Sequence, residues 1–66
     1  METPKHYEGA ITPVDYIAAN RLDFFEGNVV KYITRHRKKN GAEDIRKAIH
    51  YCQMILKYTY GEDDSK

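Results

Sequence analysis

Three stretches of the chain repeat their apolar residues at three- and four-residue spacing, and nothing alternates convincingly with a period of two, so the pattern predicts helices. Thr12, Pro13 and Asp15 make a helix start, with threonine as cap and proline in the first helical position. A short helix then runs from Pro13 to about Asn20, with Val14, Ile17 and Ala18 on one side. Asp23 can cap a second helix reaching about Lys39, with Phe25, Val29, Tyr32, Ile33 and His36 facing the core. Asn40 and Gly41 tolerate the left-handed backbone of a helix stop. A third helix runs from about Ala42 to about Tyr60, before Gly61, with Glu43 and Asp44 at the positive end of its dipole. Ile45, Ala48, Ile49, Cys52, Ile55 and Leu56 form its expected core stripe, and a second line, Lys47, Tyr51, Met54 and Tyr58, is the expected surface for self-association.

Residues 1–11 carry Pro4, Gly9 and no helical period, and read as an extended or irregular arm that can cover a neighbouring protomer or close over a ligand. Residues 62–66 form an acidic tail. The expected architecture is therefore all-α within one domain, 1–66: a short N-terminal arm and helix, then a two-helix antiparallel hairpin.

Composition adds the expectation of a homo-oligomer. A chain of 66 residues buries only about 60% of its unfolded surface. Cys52 is the sole cysteine and no Cys/His pairing has structural-zinc spacing, so association is the remaining common source of stability. Six tyrosines and two phenylalanines exceed what three short helices can hide in one copy. No apolar run approaches the roughly 20 residues of a membrane span, and no signal-peptide core is visible, so the chain is read as cytoplasmic with no membrane partner.

The formal net charge of +1 is far from the field of a dedicated duplex-DNA binder, and nucleic acid is not the expected partner. The charge is nevertheless local: Lys31, Arg35, Arg37, Lys38 and Lys39 fall in one stretch without an acid, which suits a compact anion. At 100° per residue, Phe24, Asn28, Lys31, Arg35 and Lys38 share one stripe beside the core face of the second helix. An amide, an ammonium and a guanidinium in a row can hold phosphate oxygens while Phe24 or a tyrosine stacks on a base. The competing reading is a solvated helix back. Against it stand Gly27 and Asn28, poor helix formers in mid-helix, which point to a close approach and a specific hydrogen bond.

Glu26 and Asp44 are the weak catalytic candidates: either could hold magnesium brought with a nucleotide, or accept a proton in phosphoryl transfer. Asp44 also suits a helix start, with Arg37 or Lys47 as a surface partner. His6, His36 and His50 form no pair at ligand spacing, so no resident metal is expected. The sequence has no Walker loop or dinucleotide fingerprint, and its one serine, Ser65, sits in the tail.

The blocks His6-Tyr7, ITPVDYI from Ile11, FFEGNVVKYITR from Phe24, Lys39-Asn40-Gly41 and EDIRKAIHY from Glu43 carry a resemblance covering about residues 5 to 57. In them the chain resembles a small phage-encoded, nucleotide-kinase-like family whose domain also forms the C-terminal part of a nucleotide kinase of short-tailed coliphages. The resemblance implies multimers that bind nucleoside monophosphates or triphosphates without a Walker motif. The coliphage kinase carries a long further region ahead of this domain, so the resemblance bears on a nucleotide site more than on turnover. The expected site places Lys31, Arg35 and Lys38 on phosphate, Asn28 orienting it, and Tyr7, Phe24 or Tyr32 near the base, with His6 beside Tyr7 on the arm. Three functions follow: a nucleotide-binding protein with or without kinase activity, a non-catalytic sponge for a host signalling nucleotide such as a cyclic one, or a module that binds a host protein or single-stranded nucleic acid.

Overall fold

The computed structural model describes residues 11–62, which form three α-helices: α1 (Pro13–Ala19), α2 (Phe24–Arg35) and α3 (Ala42–Tyr58). His6, Tyr7 and nearly all of the expected arm and tail lie outside the described residues. None of the described helices is long and apolar enough to cross a membrane.

Each helix begins where local chemistry dictates. The Asp15 amide donates to Thr12 Oγ1 at 3.1 Å, and Pro13 occupies the first turn, where its missing N–H costs nothing. Asp23 and Glu26 form a reciprocal capping box: the Glu26 amide donates to Asp23 Oδ1 (2.8 Å) and the Asp23 amide to Glu26 Oε1 (3.0 Å). Gly41 enters α3 with φ 57°, a conformation that favours glycine. Gly61, at φ 73°, closes it: its amide donates to the Lys57 carbonyl, and the Glu62 amide reaches back to Leu56.

α2 stops at Arg35, one turn before the expected Lys39. The Asn40 amide that would continue the ladder to the His36 carbonyl donates instead to Asp44 Oδ2 at 3.2 Å, and the Gly41 amide takes the His36 carbonyl at 2.9 Å. A carboxylate at the start of α3 thus wins a backbone donor from the end of α2, and residues 36–41 become a turn. His36, expected on the packed side, is instead the half-buried residue that caps α2.

The hairpin is antiparallel, with Phe25 of early α2 stacked on Tyr58 of late α3 (5.6 Å) and Arg35 of late α2 paired with Asp44 of early α3. Between these ends Tyr32 stacks on Tyr51 (6.0 Å, 9° between planes), and Phe24 meets Tyr51 edge-on at 5.9 Å. Such aromatic pairs contribute about 0.5–1.5 kcal/mol each beyond their buried area. The face of α3 that packs is therefore Asp44, Ala48, Tyr51, Ile55 and Tyr58, rotated about 80° from the expected stripe at 100° per residue. Of the residues expected to serve self-association, Tyr51 is half-buried in the hairpin, while Tyr58 stacks on Phe25 and keeps 62% of its surface exposed. Ile49, Cys52 and Leu56 of α3 and Ile33 of α2, all expected in the core, are exposed instead. Small Ala48 lets the helices approach, and the rings then fill the seam more fully than branched aliphatics would. Among the described residues Ala48 is the one apolar residue that is fully buried.

α1 packs on α2 and does not meet α3. Ile17 is its anchor, lying where a Cβ on Gly27 would come within 3.4 Å. A Cβ at Gly27 would make only ordinary contact with this side chain, so the close approach that the glycine suggested is not required here.

Candidate functional site

Ile17 of α1 lies against Gly27 of α2, and residues of both helices line an open groove of about 610 Å3. It is lined by the apolar residues Pro13, Val14, Ile17, Leu22 and Phe24, by Asp23 and Gly27, and by Asn28, Lys31 and Arg35, which follow Phe24 along α2. Four of the five stripe residues expected to act together therefore line one surface. Lys38 does not join them, since α2 has ended three residues earlier and Lys38 lies exposed in the turn.

The individual groups differ in how free they are. Phe24 is 68% exposed, although its edge touches Phe25 and Tyr51, so one side of its ring remains open at the groove. Asn28 donates its side-chain amide to the Phe24 carbonyl one turn back (2.8 Å), so the specific hydrogen bond expected of it is internal to α2. Lys31 is exposed, and Arg35 is half-buried.

Arg35 donates from Nε to Asp44 Oδ2 (3.1 Å) and from Nη2 to Asp44 Oδ1 (3.2 Å), a two-pronged pair that fixes the guanidinium plane. Asp44 is completely buried and also accepts from the backbone and side-chain amides of Asn40 at 3.2 and 3.3 Å. The Arg35 hydrogen bonds, helped by both Asn40 donors and by the positive charge of Arg35, outweigh burial and lower the Asp44 carboxyl to about 2. The same hydrogen bonds raise Arg35 above its ordinary value. The expected surface partners Arg37 and Lys47 give way to Arg35, because the bend at Asn40 carries Asp44 under the end of α2. Glu26 is likewise occupied, in the capping box of α2.

Tyr32 stands at the centre of a cluster the sequence stripe did not include. The Lys31 Nζ, Arg35 Cζ and Lys47 Nζ atoms lie 5.3, 4.7 and 5.4 Å from its ring centroid, while Tyr51 stacks on the ring. Tyr32 is thus engaged as a platform for cations, which leaves Phe24 as the open ring among the described candidates. Lys47 was legible only as one of a line on α3, since its nearness to Lys31 and Arg35 depends on how the helices pair. No group of three or more His, Cys, Asp or Glu that could hold a metal ion occurs among the described residues.

Gly27 keeps the groove open. Replacing it with alanine puts a methyl at ordinary contact distance from Ile17 and gains about 1 kcal/mol of helix propensity. Gly27→Ala should therefore raise the midpoint of a thermal melt followed by far-UV circular dichroism by a few degrees. A lowered midpoint would mean that α1 sits closer than described.

These features define a class: a three-helix hairpin protein with an apolar groove that ends in a cation cluster. The chain belongs to the family described as a protein of unknown function (DUF3310), whose model matches residues 1–53. That span contains all the groove and cluster residues. No curated protein and no solved structure matches the chain.

Proposed function

We propose that the groove binds a phosphorylated nucleotide, with the base against Phe24 and the apolar wall and the phosphate toward Lys31 and Arg35. The observation that carries this reading is that one groove is lined by apolar side chains with Phe24 at the start of α2 and by Asn28, Lys31 and Arg35 further along the same helix. The rise of α2 separates Phe24 from Lys31 by about 10 Å along the axis, room for a sugar between base and phosphate. The volume falls in the ordinary range of small-ligand sites. The resemblance to phage nucleotide-kinase-like proteins points the same way, and with it to a phage protein acting in the cytoplasm of the host.

Copies of the chain associate in this reading. Support comes from the scarcity of buried apolar residues and from the outward row of Ile33, Ile49 and Leu56, each more than 40% exposed. Engagement of Glu26 and Asp44 in a helix cap and a buried ion pair favours capture of the ligand without turnover. A kinase would need magnesium and a donor triphosphate, and would show phosphate moving between nucleotides.

Native mass spectrometry of the full chain as purified tests both parts, reporting subunit number and any retained small molecule. Calorimetry with nucleoside mono- and triphosphates follows. A multimer that holds an unaltered nucleotide after heat release is the expected result. A monomer that binds none of these ligands at about millimolar concentration would end the proposal.

A further inference from the structure

The groove accounts for Lys31 and Arg35 but not for Lys47, which comes from another helix and reaches the same tyrosine ring. Lys31 and Arg35 are a like-charge pair one turn apart, an arrangement that weakens a helix. Adding Lys47 gathers three cations within 5.4 Å of one ring centroid. Among the described residues, Asp44 is the acid bridged to any of them, which leaves an excess of two positive charges. The cost of that repulsion is offset if a doubly negative group sits among the three heads. Arg35 is prepared for such a group. Asp44 occupies its Nε and one Nη2 hydrogen, so the Nη1 edge is left without a protein partner in a fixed plane, and the side chain as a whole is 30% exposed.

We propose that Lys31, Arg35 and Lys47 form a single phosphate site around Tyr32, that Asp44 is the positioning residue for Arg35, and that the site prefers a terminal phosphate monoester to a diester. A monoester carries about −1.5 to −2 charges at neutral pH, matching the excess, whereas a diester brings one charge per phosphate. This rests on the nucleotide reading of the groove and deepens it, because it discriminates between linear and cyclic nucleotides, which the groove alone does not.

The test compares nucleoside monophosphates with the cyclic monophosphates of the same bases by calorimetry, using the full chain and its Lys47→Gln variant. Lys47 lies outside the groove lining, and the variant keeps most of the stem that packs there. The linear ligand is expected to bind about tenfold more tightly or better. Lys47→Gln should weaken the linear ligand several-fold more than the cyclic one and so remove most of that ratio, with the thermal midpoint of the variant checking that the fold is kept. A cyclic ligand that binds as well as the linear one, or a ratio indifferent to Lys47→Gln, overturns the inference and leaves the groove reading standing. If no nucleotide binds, the groove reading fails, and inorganic phosphate decides the cluster on its own. Phosphorus NMR broadening by the native chain that disappears in Lys47→Gln supports the site, and no broadening overturns it.

Discussion

Replacing Asp44 with alanine should lower the thermal midpoint by about 10 °C or more, the largest loss expected from any single side chain of the hairpin. Asp44 accepts four hydrogen bonds while wholly buried, and every donor belongs to Arg35 or Asn40, the residues that bracket the turn. Its removal strands a half-buried guanidinium and frees the Asn40 amide to lengthen α2 by another turn, which would misplace α3. An asparagine in its place would fill the space but cannot accept from all four donors, so Asp44→Asn should also destabilise, by less. Acid should do the same to the native chain. The folded carboxyl titrates near 2 against an ordinary 3.8, so its contribution is complete above 3.8 and disappears as the pH falls toward 2. Melts across that interval should show the midpoint falling in the native protein, with a shallower fall in Asp44→Asn. An alanine variant melting within about 2 °C of the native chain would remove Asp44 as the pin of the turn.

If the groove takes a nucleotide as proposed, reversing the charge at Lys31 should cut affinity for it by about a hundredfold or more, without loss of stability. Lys31→Glu withdraws a charge-assisted hydrogen bond and places a carboxylate where the phosphate is expected. For the fold the same change is mild or favourable: Lys31 is exposed, such substitutions usually stay within about 0.5 kcal/mol, and the introduced glutamate would stand one turn before Arg35 in the orientation that supports a helix. Affinity and thermal midpoint should therefore move independently, measured by calorimetry and circular dichroism on one preparation. Unchanged affinity for every nucleotide that the native chain binds would mean that Lys31 is only a solvated side chain.

Local chemistry made much of this molecule readable from its residues. Thr12-Pro13, Asp23 and Gly61 act over three or four positions, so the helices begin and end close to where those residues require. The stripe of Phe24, Asn28, Lys31 and Arg35 was equally legible, being a property of one helix. What the sequence concealed was the pairing of helices. α3 offers two adjacent apolar lines, and hydropathy favours the aliphatic one. The packed face is chosen by contacts with residues far away in sequence: Tyr32 on Tyr51, Phe25 on Tyr58, Arg35 on Asp44. The same pairing delivers Lys47 to Tyr32. Asp44 was misread for a related reason, since a helix start always welcomes an acid and that local role hides a distant partner.

The dependence of α1 on α2 alone has a further consequence. Seven residues are too few to hold a helix in water without support, so the amides of α1 should exchange faster than those of the hairpin on which it leans. It supplies Pro13, Val14 and Ile17 to the groove. On the proposed reading of the groove, α1 is then a wall that a ligand would have to hold in place, and affinity would be lowered by the fraction of time α1 is undocked.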